Sequence, residues 1–363
     1  MANPARILTV VGARPQFIKA SVVSRALQDK RELEEIIVHT GQHFDDGMSE
    51  VFFRELRIPE PKYNLGVSGG LHGEMTGRML EGLEQVVLKE KPDLVMVYGD
   101  TNSTLAGALV ASKLNVKIAH VEAGLRSFDM RMPEEINRIL TDRISDLLFC
   151  PTTTAVKNLE NEGVRETDAS VILSGDVMFD SVLFNRRNVY LSPETAAQLP
   201  KPLGEFALCT VHRAENTDDP LKLAEIFSAL EEIHKTLPVI VLLHPRTRKR
   251  LANLDLSPRV QIIEPVGYLE LLFLLDRCNI VLTDSGGLQK EAFFLEKACL
   301  TLRDNTEWTE LVEQGVNFLV GSESERIVQT FHKCLDIKLD FSISPYGNGR
   351  AAAAIIDVLR ASM

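Results

Sequence analysis

The stretch Ile7-Leu8-Thr9-Val10-Val11-Gly12-Ala13-Arg14-Pro15-Gln16-Phe17-Ile18-Lys19 decides the fold class. A β-branched run ends at a glycine turn, Pro15 suits the first position of a helix, and an amphipathic segment follows. The unit recurs along the chain. Strands are expected over 7–11, 36–40, 94–98, 117–121, 147–150 and 171–174, then over 206–211, 239–243, 260–263, 280–283 and 300–302. Most are followed by a turn and a helical pattern, the signature of βαβ units and parallel sheets. The fold class is therefore α/β with two Rossmann-like domains. Residues 1–185 are expected to form the first and 205–345 the second. The polar segment 186–204, with Pro193, Pro200 and Pro202, reads as a linker, and 346–363 as a C-terminal helix able to pack on either domain.

A chain of 363 residues is long enough for two such cores. Its 40 basic and 51 acidic residues leave a net charge of -11, which opposes nucleic acid and anionic membrane as partners. Any phosphate site must be local. The five cysteines are odd in number and form no CxxC pair, so neither a metal site nor a disulfide framework is expected. The apolar run 7–11 is too short for a signal peptide, and no stretch is long enough to span a bilayer, so the expected location is the cytoplasm.

Ligands of doubly wound sheets bind at the carboxyl ends of the strands, which makes the following turns the place to look. At the first, Arg14 and Lys19 flank a helix N-terminus, a combination that attracts phosphate. At another, Thr283 runs into Asp284-Ser285-Gly286-Gly287-Leu288-Gln289-Lys290-Glu291. There two glycines let backbone amides approach a diphosphate, Ser285 adds a hydroxyl and Glu291 suits ribose hydroxyls. Three more strand ends carry Asp100, Glu122 and His212, and Glu134-Glu135 opens a helix soon after Glu122. Singly, Asp100 reads equally as a helix cap and the glutamates as complements of a helix dipole. Together they are the equipment of acid–base chemistry. No GxxxxGK[ST] or HExxH is present, and the single GxGxxA, 347–352, has no room for a βαβ unit.

Eight ordered motifs spanning the chain, GARPQFIK from Gly12, TGQH from Thr40, YGDTNST from Tyr98, HVEAGLRS from His120, PEEINR from Pro133, VHRAEN from Val211, HPRT from His244 and TDSGGLQKEA from Thr283, resemble those of the non-hydrolysing UDP-N-acetylglucosamine 2-epimerases. The resemblance implies a glycosyltransferase-B-like architecture with the substrate in a cleft between the domains. It implies Asp100, Glu122, Glu134 and His212 as the catalytic set. Arg14, Lys19, Arg138, Arg213, His244, Ser285, Gly286, Gly287 and Glu291 are then expected at the UDP moiety. Glu135 is read as a surface or capping residue, because the family's catalytic glutamate is the first of the pair. No cofactor or metal is implied, and the usual family state is a homodimer. An allosteric UDP-N-acetylglucosamine site is implied at Gln42 and His43, with Arg213 and His244.

The chain departs from the family in three places. GTRPEAIK is here GARPQFIK, RDTTERPE is Arg303-Asp304-Asn305-Thr306-Glu307-Trp308-Thr309-Glu310, and 66–73 differs near the allosteric region. The first pattern resembles the branch acting on UDP-2,3-diacetamido-2,3-dideoxy-glucuronate. A uronate calls for a further cation, for which Arg126 and Arg131 are the candidates. A glycosyltransferase of the same architecture and a non-catalytic sugar-nucleotide sensor are the rival readings.

Overall fold

The computed structural model describes residues 3–42, 55–164, 168–243, 245–253 and 258–363. It divides into two compact units, Met1–Leu183 with Ser344–Met363, and Phe184–Ile343.

In the first unit, β1 (Ala5–Val11), β2 (Leu33–His39), β3 (Tyr63–Asn64), β4 (Leu94–Tyr98), β5 (Lys117–Val121), β6 (Leu147–Cys150) and β7 (Ser170–Leu173) form one parallel sheet. Its order is β3-β2-β1-β4-β5-β6-β7. The chain winds outward from β1 to one edge, then returns across it through β4. The direction of winding thus reverses between β1 and β4, the switch point where doubly wound sheets open a crevice. Strands covered on both faces read as unbroken apolar runs, and Val95, Met96 and Val97 are fully buried. Met79, Leu83, Val86 and Val87 of the His72–Glu90 helix join the same core. Each such side chain contributes roughly 1.5–3 kcal/mol by leaving water.

The second unit repeats the plan. β8 (Ala207–Thr210), β9 (Val239–Leu242), β10 (Gln261–Ile263), β11 (Ile280–Thr283), β12 (Ala298–Thr301) and β13 (Asn317–Leu319) lie parallel in the order β10-β9-β8-β11-β12-β13. Its switch point falls between β8 and β11. Leu223, Ile226, Phe227, Leu230 and Ile233 of the Pro220–His234 helix pack into its core.

One segment differs from the sequence reading. Residues 186–204 carry a 3-10 turn, Arg186–Asn188, and a helix, Pro193–Gln198, and cluster with the second unit rather than standing apart as a linker. Ser192 caps that helix by accepting the Thr195 amide at 3.2 Å. The Ala351–Ser362 helix belongs to the first unit, where the Asp180 carboxylate accepts the amides of Ala351 and Ala352 at 3.0 and 2.8 Å. Among the described residues no helix is long and apolar enough to cross a membrane. All five cysteines are buried free thiols.

One half-buried acid makes the first sheet sensitive to pH. The Glu35 carboxyl accepts hydrogen bonds from Thr9 and Ser24 on one oxygen, while the other oxygen is buried with no partner among the described residues. Burial raises its pKa to about 7, with the two hydroxyls opposing. A raised folded-state value means that the native state holds a proton the unfolded chain has released. Stability from this group is complete below the unfolded value and is lost as pH rises towards 7. In urea unfolding at pH 5 and pH 8, wild type should lose about 2–3 kcal/mol relative to Glu35→Gln. An equal pH response in the two proteins would refute it.

Candidate active site

At the switch point of the first unit, Thr101 rather than Asp100 caps the Asn102–Lys113 helix, its hydroxyl accepting the Thr104 amide at 3.3 Å. Relieved of capping, the Asp100 carboxylate pairs with the Arg138 guanidinium, whose other arm donates to Glu135 at 2.8 Å. Asn137 holds the Asp100 carbonyl at 2.9 Å. One strand over, Glu122 sits at φ 73°, a left-handed conformation that costs a non-glycine residue energy. It is kept there by its amide, which donates to Phe149 O at 3.0 Å, and by a buried ion pair with Lys19.

Gly99 joins the two carboxylates. Its φ is 62°, and a Cβ there would lie 3.2 Å from Glu122 Oε2 and 3.3 Å from Lys19 Nζ. Its carbonyl receives a 2.7 Å hydrogen bond from Nε2 of the fully buried His120. The opposite ring nitrogen lies 2.7 Å from Asp142 Oδ1. Asp142 Oδ2 accepts from Arg126 at 2.7 Å and from the Gly124 amide at 3.1 Å, and Arg126 forks onto Glu162 at 2.7 and 2.8 Å. Burial pushes the Asp142 carboxyl up, but His120 and Arg126 outweigh it and hold the group below the ordinary carboxylate range.

The turn at Gly12 is less open than its sequence implies. Gln16 Oε1 accepts the amides of Gly12 and Ala13 at 2.8 and 3.0 Å, and Lys19 is committed to Glu122. These two amides are therefore held within the protein. Arg14 is half-buried and Pro15 exposed there.

The second unit's switch point is open where the first is filled. Ser285 caps the Gly286–Phe294 helix, and the amides of Gly286 and Gly287 have no hydrogen-bond partner among the described residues. A Cβ on Gly287 would meet nothing within 4 Å, and one on Gly286 only Glu307 and Trp308 atoms at 3.8 Å. The protein's own packing does not demand glycine at either position, and two bare amides at a helix N-terminus are suited to an anion. The Trp308 indole donates to Gly286 O at 2.9 Å, with the buried Lys290 ammonium 4.0 Å from its ring centre. Beside this turn, at the end of β8, His212 is half-exposed and lies 3.1 Å from the buried Asp284.

The family model described as UDP-N-acetylglucosamine 2-epimerase matches residues 25–360. The chain is 57% identical to the UDP-2,3-diacetamido-2,3-dideoxy-D-glucuronate 2-epimerase of Pseudomonas aeruginosa, over 98% of this chain and 99% of that protein. It belongs to the UDP-N-acetylglucosamine 2-epimerase family. The Methanocaldococcus jannaschii UDP-N-acetylglucosamine 2-epimerase is 45% identical, with 98% of both chains covered. A crystal structure of the M. jannaschii UDP-GlcNAc 2-epimerase in complex with UDP-GlcNAc and UDP superposes with a TM-score of 0.91 at 44% identity, covering 98% of this chain and 99% of that one. The two parallel-sheet α/β units are those of the glycosyltransferase-B-like epimerases.

Within this epimerase fold, several residues differ from their sequence reading. Glu135 is 1% exposed and no surface group. Besides Arg138, its carboxylate accepts the amides of Ser127 and Phe128, both at 2.9 Å, and so fixes the loop between Glu122 and Glu134. Glu134 is exposed, and its side chain has no hydrogen bond among the described residues. Arg126, buried between Asp142 and Glu162, is not available to a uronate, whereas Arg131 is exposed and among the described residues holds only the neighbouring Asp129. Gln42 Oε1 accepts from the amide and hydroxyl of Ser103 at 3.1 and 2.8 Å. His43 and His244 lie outside the described residues. Glu291 is buried in the helix that Ser285 caps. Sequence reasoning gave no role to His120, Asp142, Asn137 or Asp284, because each acts through a partner distant in the chain.

Proposed function

We propose that this chain interconverts the C2 epimers of a UDP-linked 2-acetamido sugar without hydrolysis, and that the sugar is 2,3-diacetamido-2,3-dideoxy-glucuronate. The observation that carries the reaction is the cluster of two cation-held carboxylates, Asp100 and Glu122, at the neighbouring ends of β4 and β5; the second unit separately offers two bare amides, Gly286 and Gly287. The 57% identical relative favours the diacetamido-uronate, and Arg131 is the cation on hand for its carboxylate. UDP-N-acetylglucosamine is the second reading, favoured by the 44% identical structure that holds it.

The chemistry follows from the substrate. A C2 hydrogen on such a sugar is not adjacent to a carbonyl, so its direct removal is prohibitive. Loss of the C2 proton to a carboxylate, with the C1–O electron pair leaving on UDP, forms a C1=C2 double bond. UDP then re-adds at C1 while a proton is delivered to C2 on the opposite face, so no water is consumed. Asp100, Glu122 and Glu134 are the groups for proton transfer. Arg14, Arg213, Ser285 and the two glycine amides would stabilise the departing diphosphate, with His212 beside them. The enzyme works in the cytoplasm as a homodimer, for which light scattering should give the mass of two chains; a single-chain mass would contradict it.

Run in deuterium oxide, the reaction should place deuterium at C2 of the product, with no free UDP accumulating. Product lacking deuterium at C2 would rule out the elimination route, and stoichiometric free UDP would make the enzyme hydrolytic. A requirement for an added acceptor would turn the reading to a glycosyltransferase.

A further inference from the structure

The end of β11 carries a group that the proposed chemistry does not use. Asp284 is fully buried, and its carboxylate gathers the end of β8 around itself. Oδ2 accepts from the amides of His212 and Arg213 at 3.1 and 3.0 Å and from Asn216 Nδ2 at 3.1 Å. Oδ1 lies 3.1 Å from the His212 ring nitrogen Nδ1. The Asn216 amide also reaches Leu302 O at 2.9 Å, tying the arrangement to the next strand end. Burial pushes the Asp284 carboxyl up, but the hydrogen bonds from His212, Arg213 and Asn216 outweigh it and keep the group below the ordinary carboxylate range. An ionised carboxylate offers only acceptors, so the facing Nδ1 must carry a hydrogen.

We propose that Asp284 is a positioning residue that locks His212 in the Nδ1–H tautomer and leaves Nε2 as the ring atom presented to the sugar nucleotide. The half-exposed ring supports this division: one edge is fixed against a buried anion, while Nε2 has no hydrogen-bond partner among the described residues. A neutral imidazole has one donor and one acceptor nitrogen, so fixing one edge dictates what the other can do. Here a lone pair, not a hydrogen, points outward until a proton arrives, and the carboxylate behind the ring stabilises the imidazolium then formed. By holding the Arg213 amide as well, Asp284 sets the position of both residues with one side chain. This inference rests on His212 facing ligand, yet its central claim concerns the free enzyme and is measured without substrate.

The test is imidazole nitrogen NMR on the full-length protein labelled with 15N-histidine, at pH 8.5, where an ordinary imidazole is neutral. His212→Gln identifies the His212 signals by their loss. Wild type should show the Nδ1–H pattern, with Nε2 unprotonated. An Nε2–H pattern in wild type would overturn the proposal, whether or not any variant folds. In Asp284→Asn the pattern should shift away from pure Nδ1–H, and kcat should fall about 10²–10⁴-fold, the scale seen when a histidine loses its orienting carboxylate. A stable Asp284→Asn protein with an unchanged tautomer would show the contact to be merely structural. The Nδ1–H pattern in wild type alongside full activity of His212→Gln would keep the tautomer lock but overturn the presentation of Nε2 to the sugar nucleotide.

Discussion

Asp100→Asn should abolish most turnover, lowering kcat by about 10²–10⁴-fold, while calorimetry finds UDP bound nearly as tightly as by wild type. The two effects separate because the groups proposed for the diphosphate at Ser285–Gly287 belong to a different unit from Asp100. The fold should tolerate the change. Asparagine is nearly isosteric, the Asp100 side chain is 31% exposed, and Arg138 keeps its 2.8 Å bond to Glu135. What is lost is one negative charge opposite Arg138 and one site able to take or return a proton. Full activity in this variant would remove Asp100 from the chemistry, and a matching loss of UDP affinity would make it a binding residue instead.

Asp142→Ala should strike stability first. The substitution strands the buried His120, leaves the buried Arg126 with Glu162 as its one carboxylate partner among the described residues, and leaves the Gly124 amide without its acceptor. Removing one partner of a buried charge pair costs roughly 3–5 kcal/mol, because the remaining charge stays out of water uncompensated. For a protein of this size the midpoint of thermal unfolding should fall by roughly 6–20 °C. Activity should fall further than unfolding explains. With His120 no longer steered, the Gly99 carbonyl loses its fixed donor, and with it go the positions of Asp100 and Glu122. A variant with wild-type melting would show that His120 and Arg126 find other partners and that the network is not a support for the carboxylates.

How far the sequence could be read followed the distance over which its signals act. The strands at 94–98, 117–121, 147–150 and 280–283 coincide with β4, β5, β6 and β11, since a strand buried on both faces writes its whole length in apolar residues. β3 and β13, of two and three residues, are too short to carry a period. Turn residues such as Gly99, Asp100 and Gly286 stood out because glycine and aspartate at a strand end are local signals. The support beneath them did not. His120 meets an aspartate 22 positions on, and Arg126 a glutamate 36 positions on, and only the folded sheet brings them together. The Glu134-Glu135 pair shows a finer limit. Neighbours on a helix point about 100° apart, so one is exposed and the other buried, and composition cannot say which. Gln16 shows another: a residue in a phosphate-attracting turn turned inward to satisfy that turn's own amides.

The return of residues 344–363 to the first unit bears on how the protein is made. The second unit is encoded as one uninterrupted block, so a ribosome delivers all of it before the closing helix of the first has been synthesised. Asp180 waits through more than 160 residues for the amides of Ala351 and Ala352 that it will cap. Domains generally fold as units while the chain emerges. In this chain the block begun second can be the block finished first, and the first unit reaches its final packing only once the Ala351–Ser362 helix has emerged.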